Sequence, residues 1–187
     1  YDKEVRIFKT SCGPLDNNAY LVVCPETNEG VIIDTPPEPE KVLAEVGSTK
    51  VKAIFITHNH RDHLMGFEVI RKSTGAPVGV HRDDASRLPS PPDMELTDGG
   101  VFHAGGVELR FIHTPGHTHG STCILAGMHL FTGDTLFPGG PGASRTPEAL
   151  EQEIKSITEK LYTLPDGVEI YPGHGDNTNL AASQREY

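Results

Sequence analysis

Thr57-His58-Asn59-His60-Arg61-Asp62-His63 gathers three imidazoles and one carboxylate of metal-ligating type into a single short stretch. It follows Ala53-Ile54-Phe55-Ile56-Thr57, an apolar, β-branched run that predicts a buried strand. Where that strand ends the backbone must turn, so His58 and His60, two residues apart, can lean toward one point while Asp62 and His63 reach toward a second. Two metal ions could therefore share one loop. Imidazole and carboxylate donors suit zinc, and also iron or manganese, and no cysteine stands in the cluster to favour a closed structural zinc site. A His-rich turn on a soluble surface is the plain alternative.

Three more residues of ligand type weaken that alternative. His117 lies in His113-Thr114-Pro115-Gly116-His117-Thr118, Asp134 in Phe131-Thr132-Gly133-Asp134-Thr135, and His174 in Tyr171-Pro172-Gly173-His174-Gly175. Each follows a predicted strand and is introduced by glycine, which allows the sharp backbone that brings a side chain into a crowded centre. Taken singly they read as turn residues. Taken together they read as a constellation.

Working outward, short apolar segments at 5–8, 19–23 and 30–33 predict strands, the first two flanking the turn-rich Gly13-Pro14-Leu15-Asp16-Asn17-Asn18. Asp34 ends the third, where a turn or helix cap is its commoner role. A short helix is expected over 39–46, another around Phe67 to Lys72 with a basic last turn, and a strand over 77–81. Pro89, Pro91 and Pro92 make 86–98 a surface loop. Four β-like segments follow at 100–103, 107–113, 122–125 and 129–132, the members of each pair joined by glycine turns. Thr146-Pro147-Glu148 opens a helix with Leu150, Ile154, Ile157 and Leu161 on one stripe. A strand at 168–171 and a terminal helix over 177–185 complete the chain. Helices follow strands in both halves and ligand residues stand at several strand ends, which predicts an α/β (α+β) fold with two sheets face to face and helices outside.

At 187 residues the chain suits one domain, 1–187, with a sizeable core. A formal charge of −10 argues against nucleic acid and against an anionic membrane surface as partners. Cys12, Cys24 and Cys123 are scattered and odd in number, as expected of reduced thiols in a cytoplasmic protein. No stretch approaches a membrane span and no signal sequence opens the chain, although the chain begins at Tyr1, as one from which a leader has been removed would.

The four motifs Thr57 to His63, His113 to Thr118, Phe131 to Phe137 and Tyr171 to Gly175, in that order, resemble the metallo-β-lactamase superfamily, and within it the glyoxalase II (hydroxyacylglutathione hydrolase) branch. The resemblance implies a four-layer αββα sandwich of two mixed sheets. It implies His58, His60 and His117 on one metal, Asp62, His63 and His174 on the other, and Asp134 as the bridge, with Asp62 and Asp134 part of the catalytic centre and Asp34 in an outer-shell role. The implied activity is hydrolysis of a small thioester or related acyl substrate by a hydroxide between two divalent ions, roughly 3.5 Å apart, zinc being the first choice. The chain departs from glyoxalase II in ending soon after His174 and in carrying Pro138-Gly139-Gly140-Pro141-Gly142-Ala143-Ser144-Arg145 where that branch has a Cys-Gly-Arg or Cys-Gly-Lys segment. His119, two residues from His117, and Arg145 are candidate substrate contacts. His113 is expected to pack behind the site, and His81 to be a surface residue at a strand end. Competing readings are a mononuclear iron persulfide dioxygenase, a phosphodiesterase or lactonase of the same superfamily, and a metal-binding domain without catalysis.

Overall fold

The computed structural model describes residues 5–186; residues 1–4 and 187, part of the span expected to form one domain, lie outside the described residues. The first sheet contains β1 (Arg6–Cys12), β2 (Asn17–Val23), β3 (Glu29–Ile33), β4 (Lys50–Phe55), β5 (Val78–Val80) and β6 (Met94–Glu95), side by side in chain order. β1, β2 and β3 are antiparallel, whereas β3, β4, β5 and β6 run parallel. Helices α1 (Pro39–Val46) and α2 (Phe67–Thr74) make the crossovers, and a short α3 (Arg82–Ala85) follows β5.

The remaining strands are β7 (Val101–Ala104), β8 (Val107–His113), β9 (Thr122–Ala126), β10 (His129–Gly133), β11 (Leu136–Phe137), β12 (Gly140–Pro141), β13 (Glu169–Pro172) and β14 (Thr178–Asn179). β11 and β12 pair only with each other; the other six form the second sheet in the order β14-β13-β10-β9-β8-β7. Helix α4 (Pro147–Ser156), a π-helical turn at Ile157–Leu161, and α5 (Leu180–Glu186) pack on this half.

Strand alternation explains the layering. On β2, Tyr20 and Val22 turn inward to meet Phe111, Ile124 and Phe131 of the second sheet, while Leu21 and Val23 turn outward toward Val42, Phe67 and Ile70 of α1 and α2. Both faces are covered, so every residue of β2 is buried. Phe55 and Phe111 meet edge to face across the sheets with ring centroids 5.1 Å apart. Leu130 and Ile170 face out from the second sheet onto Ile157, Leu161 and Leu180. Each such side chain contributes about 1.5–3 kcal/mol when fully buried, which ties helix, sheet, sheet and helix into one stack. The expected αββα sandwich of two mixed sheets is what forms.

Three local expectations differ. Leu88 and Leu96 are buried and β6 pairs with β5, so the proline-rich stretch is an anchored connection rather than a plain surface loop. On α4, Leu150 is 38% exposed and Glu153 is buried with Ser156 and Ile157, so the inner stripe is rotated from the apolar one. The terminal helix begins at Leu180, after the two residues of β14.

Parallel strands deliver their carboxyl ends to one edge. Asp34 follows β3 and His58 to His63 follow β4; β8, β10 and β13 share one direction in the second sheet and are followed by His117, Asp134 and His174. Topology thus collects the constellation at one rim of the sandwich.

Candidate metal centre

The seven ligand-type residues meet in two adjoining groups. His58, His60, His117 and Asp134 offer ligand atoms within 4.8 Å of one another, and so do Asp62, His63 and His174. In the first group His60 Nδ1 stands 2.9 Å from His117 Nε2, and Asp134 Oδ2 stands 3.5 Å from His117 Nε2 and 3.8 Å from His58 Nε2. In the second, His63 Nε2 and His174 Nε2 are 3.1 Å apart, and Asp62 Oδ2 lies 3.2 Å from His174 Nε2. Asp134 reaches this group too, Oδ1 at 3.4 Å from His63 Nε2 and Oδ2 at 3.3 Å from His174 Nε2. It stands between the groups.

Close approach needs the glycines. A Cβ on Gly133, whose φ is 51°, would stand 2.6 Å from Thr57 Oγ1, and one on Gly173 would overlap Asp134 Oδ1.

Outer contacts orient the rings. A carbonyl can only accept, so His117 Nδ1–H donates to Ala143 O at 2.9 Å and His174 Nδ1–H to Leu15 O at 2.8 Å. Asp34 serves two more. It accepts from His63 Nδ1 at 3.0 Å and from Thr57 Oγ1 at 2.7 Å, and the Thr57 hydroxyl, its proton committed, accepts from His58 Nδ1 at 3.0 Å. Four histidines therefore turn Nε2 toward the centre, the arrangement that outer partners impose on metal-bound imidazoles. Asp34 also accepts from Thr57 N at 2.8 Å and holds a left-handed backbone at φ 63°. The turn-cap expectation for Asp34 gives way to this bracing role.

Two observations test whether divalent ions fit. His58 Nε2 and Asp134 Oδ1 are buried without a hydrogen-bond partner, which is costly unless something else satisfies them. Ligands held about 2.0–2.2 Å from one tetrahedral ion lie roughly 3.3–3.6 Å apart, comparable with the spacings here. The donor set, nitrogen and oxygen without thiolate, suits zinc, iron or manganese.

Charge follows the same plan. Burial, then neighbouring imidazoles, pushes His58 well below the ordinary imidazole value and lowers His60, and burial lowers His117, each toward the neutral ligand form. Burial also opposes charge on His63 and His174, but Asp34 and Asp134 hold His63 at about 10, and Asp134 and Asp62 hold His174 at about 10. Asp62 is kept well below the usual carboxylate range, first by its hydrogen bond to His174; for Asp134 burial acts the other way and is overcome by His174 and His63. A cation and a proton would compete for the same two nitrogens.

Sequence reasoning missed three supporting residues. Asn17 Nδ2 donates to Asp62 Oδ2 at 2.8 Å. Asp84, buried, accepts from Asn59 N at 2.9 Å, Thr118 Oγ1 at 2.7 Å and Gly120 N at 3.0 Å, joining the two loops that carry His58, His60 and His117. Glu153, also buried, accepts from Ser144 Oγ, next to the carbonyl that orients His117. None of the three stood in a motif that the sequence reading used, and Glu153 lies off the apolar stripe expected of its helix. His81 is a correction: it is buried and stacks on His113, ring centroids 3.9 Å apart, while His113 Nε2 donates to His119 O at 2.8 Å. His119 and Arg145 both line a cavity of about 360 Å³ that His60 and His117 also line.

The Metallo-beta-lactamase superfamily model matches residues 12–174. A hydroxyacylglutathione hydrolase of Polaromonas is 35% identical over 84% of this chain, which spans 62% of that relative's length. BaeB of Bacillus velezensis, named a probable polyketide biosynthesis zinc-dependent hydrolase, is 31% identical over 91% of this chain and 78% of its own. The crystal structure of TTHA1623 in a di-iron-bound form superposes with a TM-score of 0.79 at 31% identity, covering 96% of this chain and 98% of that one. The matched span and these relatives, following on the αββα layering and the His/Asp rim, establish that the chain belongs to the metallo-β-lactamase superfamily.

Proposed function

We propose that this chain is a metal-dependent hydrolase of a small thioester or related acyl substrate, acting in the cytoplasm through one domain, 1–187, with two divalent cations, zinc first among them. The observation that carries the reading is the convergence of four Nε2 atoms, whose Nδ1 partners are already committed, with the carboxylates of Asp62 and Asp134. His58, His60 and His117 would hold one cation, Asp62, His63 and His174 the other, with Asp134 shared. Such ions bring the pKa of water toward 7 and polarise an acyl carbonyl.

The chain's own residues do the rest. Asp134 keeps the two groups at a fixed separation, and Asn17 holds the Asp62 carboxylate in place. Asp34 keeps His58 and His63 in the tautomers that leave Nε2 free. A thiolate leaves with a pKa near ~8.5, so no strong acid is required of the protein. His119 and Arg145, on the cavity wall beside His60, take the polar arms of the substrate. Among the described residues Cys12, Cys24 and Cys123 are free and buried, which supports a reducing compartment, and no helix is long and apolar enough to cross a membrane. The hydrolase names of two relatives support the reaction class.

The deciding experiment quantifies metal in protein purified without added metal and screens thioester, phosphodiester, β-lactam and persulfide substrates on the same sample. Two metal ions per chain with thioester turnover is the expected result. One iron per chain, with persulfide-dependent oxygen uptake, would replace this reading with an oxidoreductase.

A further inference from the structure

Beside the metal centre, and sharing Asn59, His60, Arg87 and Arg145 with the smaller cavity, lies a second cavity of about 680 Å³. Arg61, Arg87 and Arg145 line it, together with the exposed Met65 and Pro89. Elsewhere three arginines pair with carboxylates, Arg71 with Asp93 at 2.9 Å, Arg82 with Glu95 at 2.8 Å and Arg110 with Glu108 at 3.3 Å, and Arg6 donates to the Asn28 amide oxygen at 3.3 Å. Among the described residues, none of the three cleft arginines has a carboxylate within 4.0 Å, although the chain carries a formal charge of −10.

One unpaired guanidinium on a surface is ordinary, because water solvates it. Three converging on one concavity that opens at a ligand histidine create a local positive potential which an anion would relieve. Guanidinium groups match carboxylate and phosphate oxygens in pairs. Met65, 56% exposed, and Pro89 add apolar surface to the same wall.

Resting on the hydrolase reading above, the geometry points to an anion-recognition subsite formed by Arg61, Arg87 and Arg145. The preferred acyl substrate accordingly carries a carboxylate or phosphate on an apolar arm, and the arm lies along Met65 and Pro89. Specificity comes from the turn after α3 and the turn after β4, the elements that carry Arg87 and Arg61.

The test uses the metal-loaded protein and three thioesters of one chain length, ending in a carboxylate, a phosphate or a methyl group. At low salt the better anionic thioester should have a KM about tenfold below the neutral one, the scale of one hydrogen bond to a charged group. Arg87→Gln and Arg61→Gln should each collapse that ratio toward one, and Arg87→Lys should retain part of it. The two anionic arms tell carboxylate from phosphate. Equal KM values for charged and neutral thioesters in the parent protein, or variants that leave the ratio intact, would overturn the subsite. If no thioester is hydrolysed the enzymatic reading fails, and calorimetry with the matching non-hydrolysable thioethers still decides this one. Salt-sensitive binding that Arg87→Gln abolishes upholds the subsite; no difference between charged and neutral thioethers rejects it.

Discussion

The two halves of the candidate metal centre are supported differently. His58, His60 and His117 stand on loops from opposite sheets, and buried carboxylates behind them, Asp84 and Glu153, tie those loops together or hold the segment that orients His117. Asp62, His63 and His174 lean on the N-terminal hairpin, through Asn17 and Leu15, and on Asp34. The first half depends on buried carboxyl braces, of which Asp84 joins loops from the two sheets. The second depends largely on the turn between β1 and β2. Asp134 and Asp34 serve both, so damage to them should not discriminate, whereas damage to the separate braces should.

The largest effect is expected from Asp134→Ala, which removes the carboxylate that stands among ligand atoms of both groups. Hydrolysis should fall more than about 100-fold and metal content should drop, measured by steady-state kinetics and elemental analysis; normal turnover would rule out the shared role. Asp34→Ala should come next. It frees Nδ1 of His63 and, through Thr57, of His58, so both metal affinities should weaken by about 10–100-fold in competition titrations with a chelator. A loss confined to one ion would show that the Thr57 relay to His58 is idle.

Asp84→Asn separates the halves. It keeps the size of the side chain but gives up part of its accepting capacity for three donors, so the His58, His60 and His117 half should lose affinity about tenfold while the other half holds its ion. Stoichiometry falling from two toward one, with stability monitored in parallel, is the readout; equal loss from both halves would contradict the division.

The smallest effect concerns pH. Burial raises the Glu153 carboxyl to about 7, against hydrogen bonds from Ser144 and Gly142 N–H that lower it, from an ordinary value of 4.5. The folded state thus binds the proton more tightly than the unfolded chain does, so this stabilisation is complete below about pH 4.5 and is lost as pH rises through about 7. Discounted for relaxation around the buried carboxyl, the change is on the order of 1–2 kcal/mol. Denaturant melts of the metal-free protein at pH 5 and 8 should show it on top of the loss due to His63 and His174, and Glu153→Gln should remove only the Glu153 share.

Much of this was legible from residue order alone. The seven ligand-type residues stand beside strand ends, four of them within one turn, and their chemical types restrict what they can bind. The apolar periodicity predicted most strands, because alternating burial leaves a two-residue repeat in the chain. It misplaced the inner face of α4, since buried Glu153 and exposed Leu150 invert the usual pattern. It also took the proline-rich segment for a loose loop, because Leu88 and Leu96 are isolated apolar residues whose anchoring depends on neighbours far along the chain.

The sequence by itself determined the types of donor side chain, the fold family and the acidic balance that disfavours nucleic acid as a partner. Only the tertiary structure decided which ring nitrogen each histidine presents, that Asn17, Asp84 and Glu153 support the centre, and that Arg61, Arg87 and Arg145 share one cleft. The reason is physical: ligand identity is a property of single residues and close spacing, but a tautomer is set by whichever acceptor lies behind the ring. Here those acceptors lie 26 positions away from His117, 29 from His63 and 159 from His174, brought near by sheet packing that leaves no local mark on the chain.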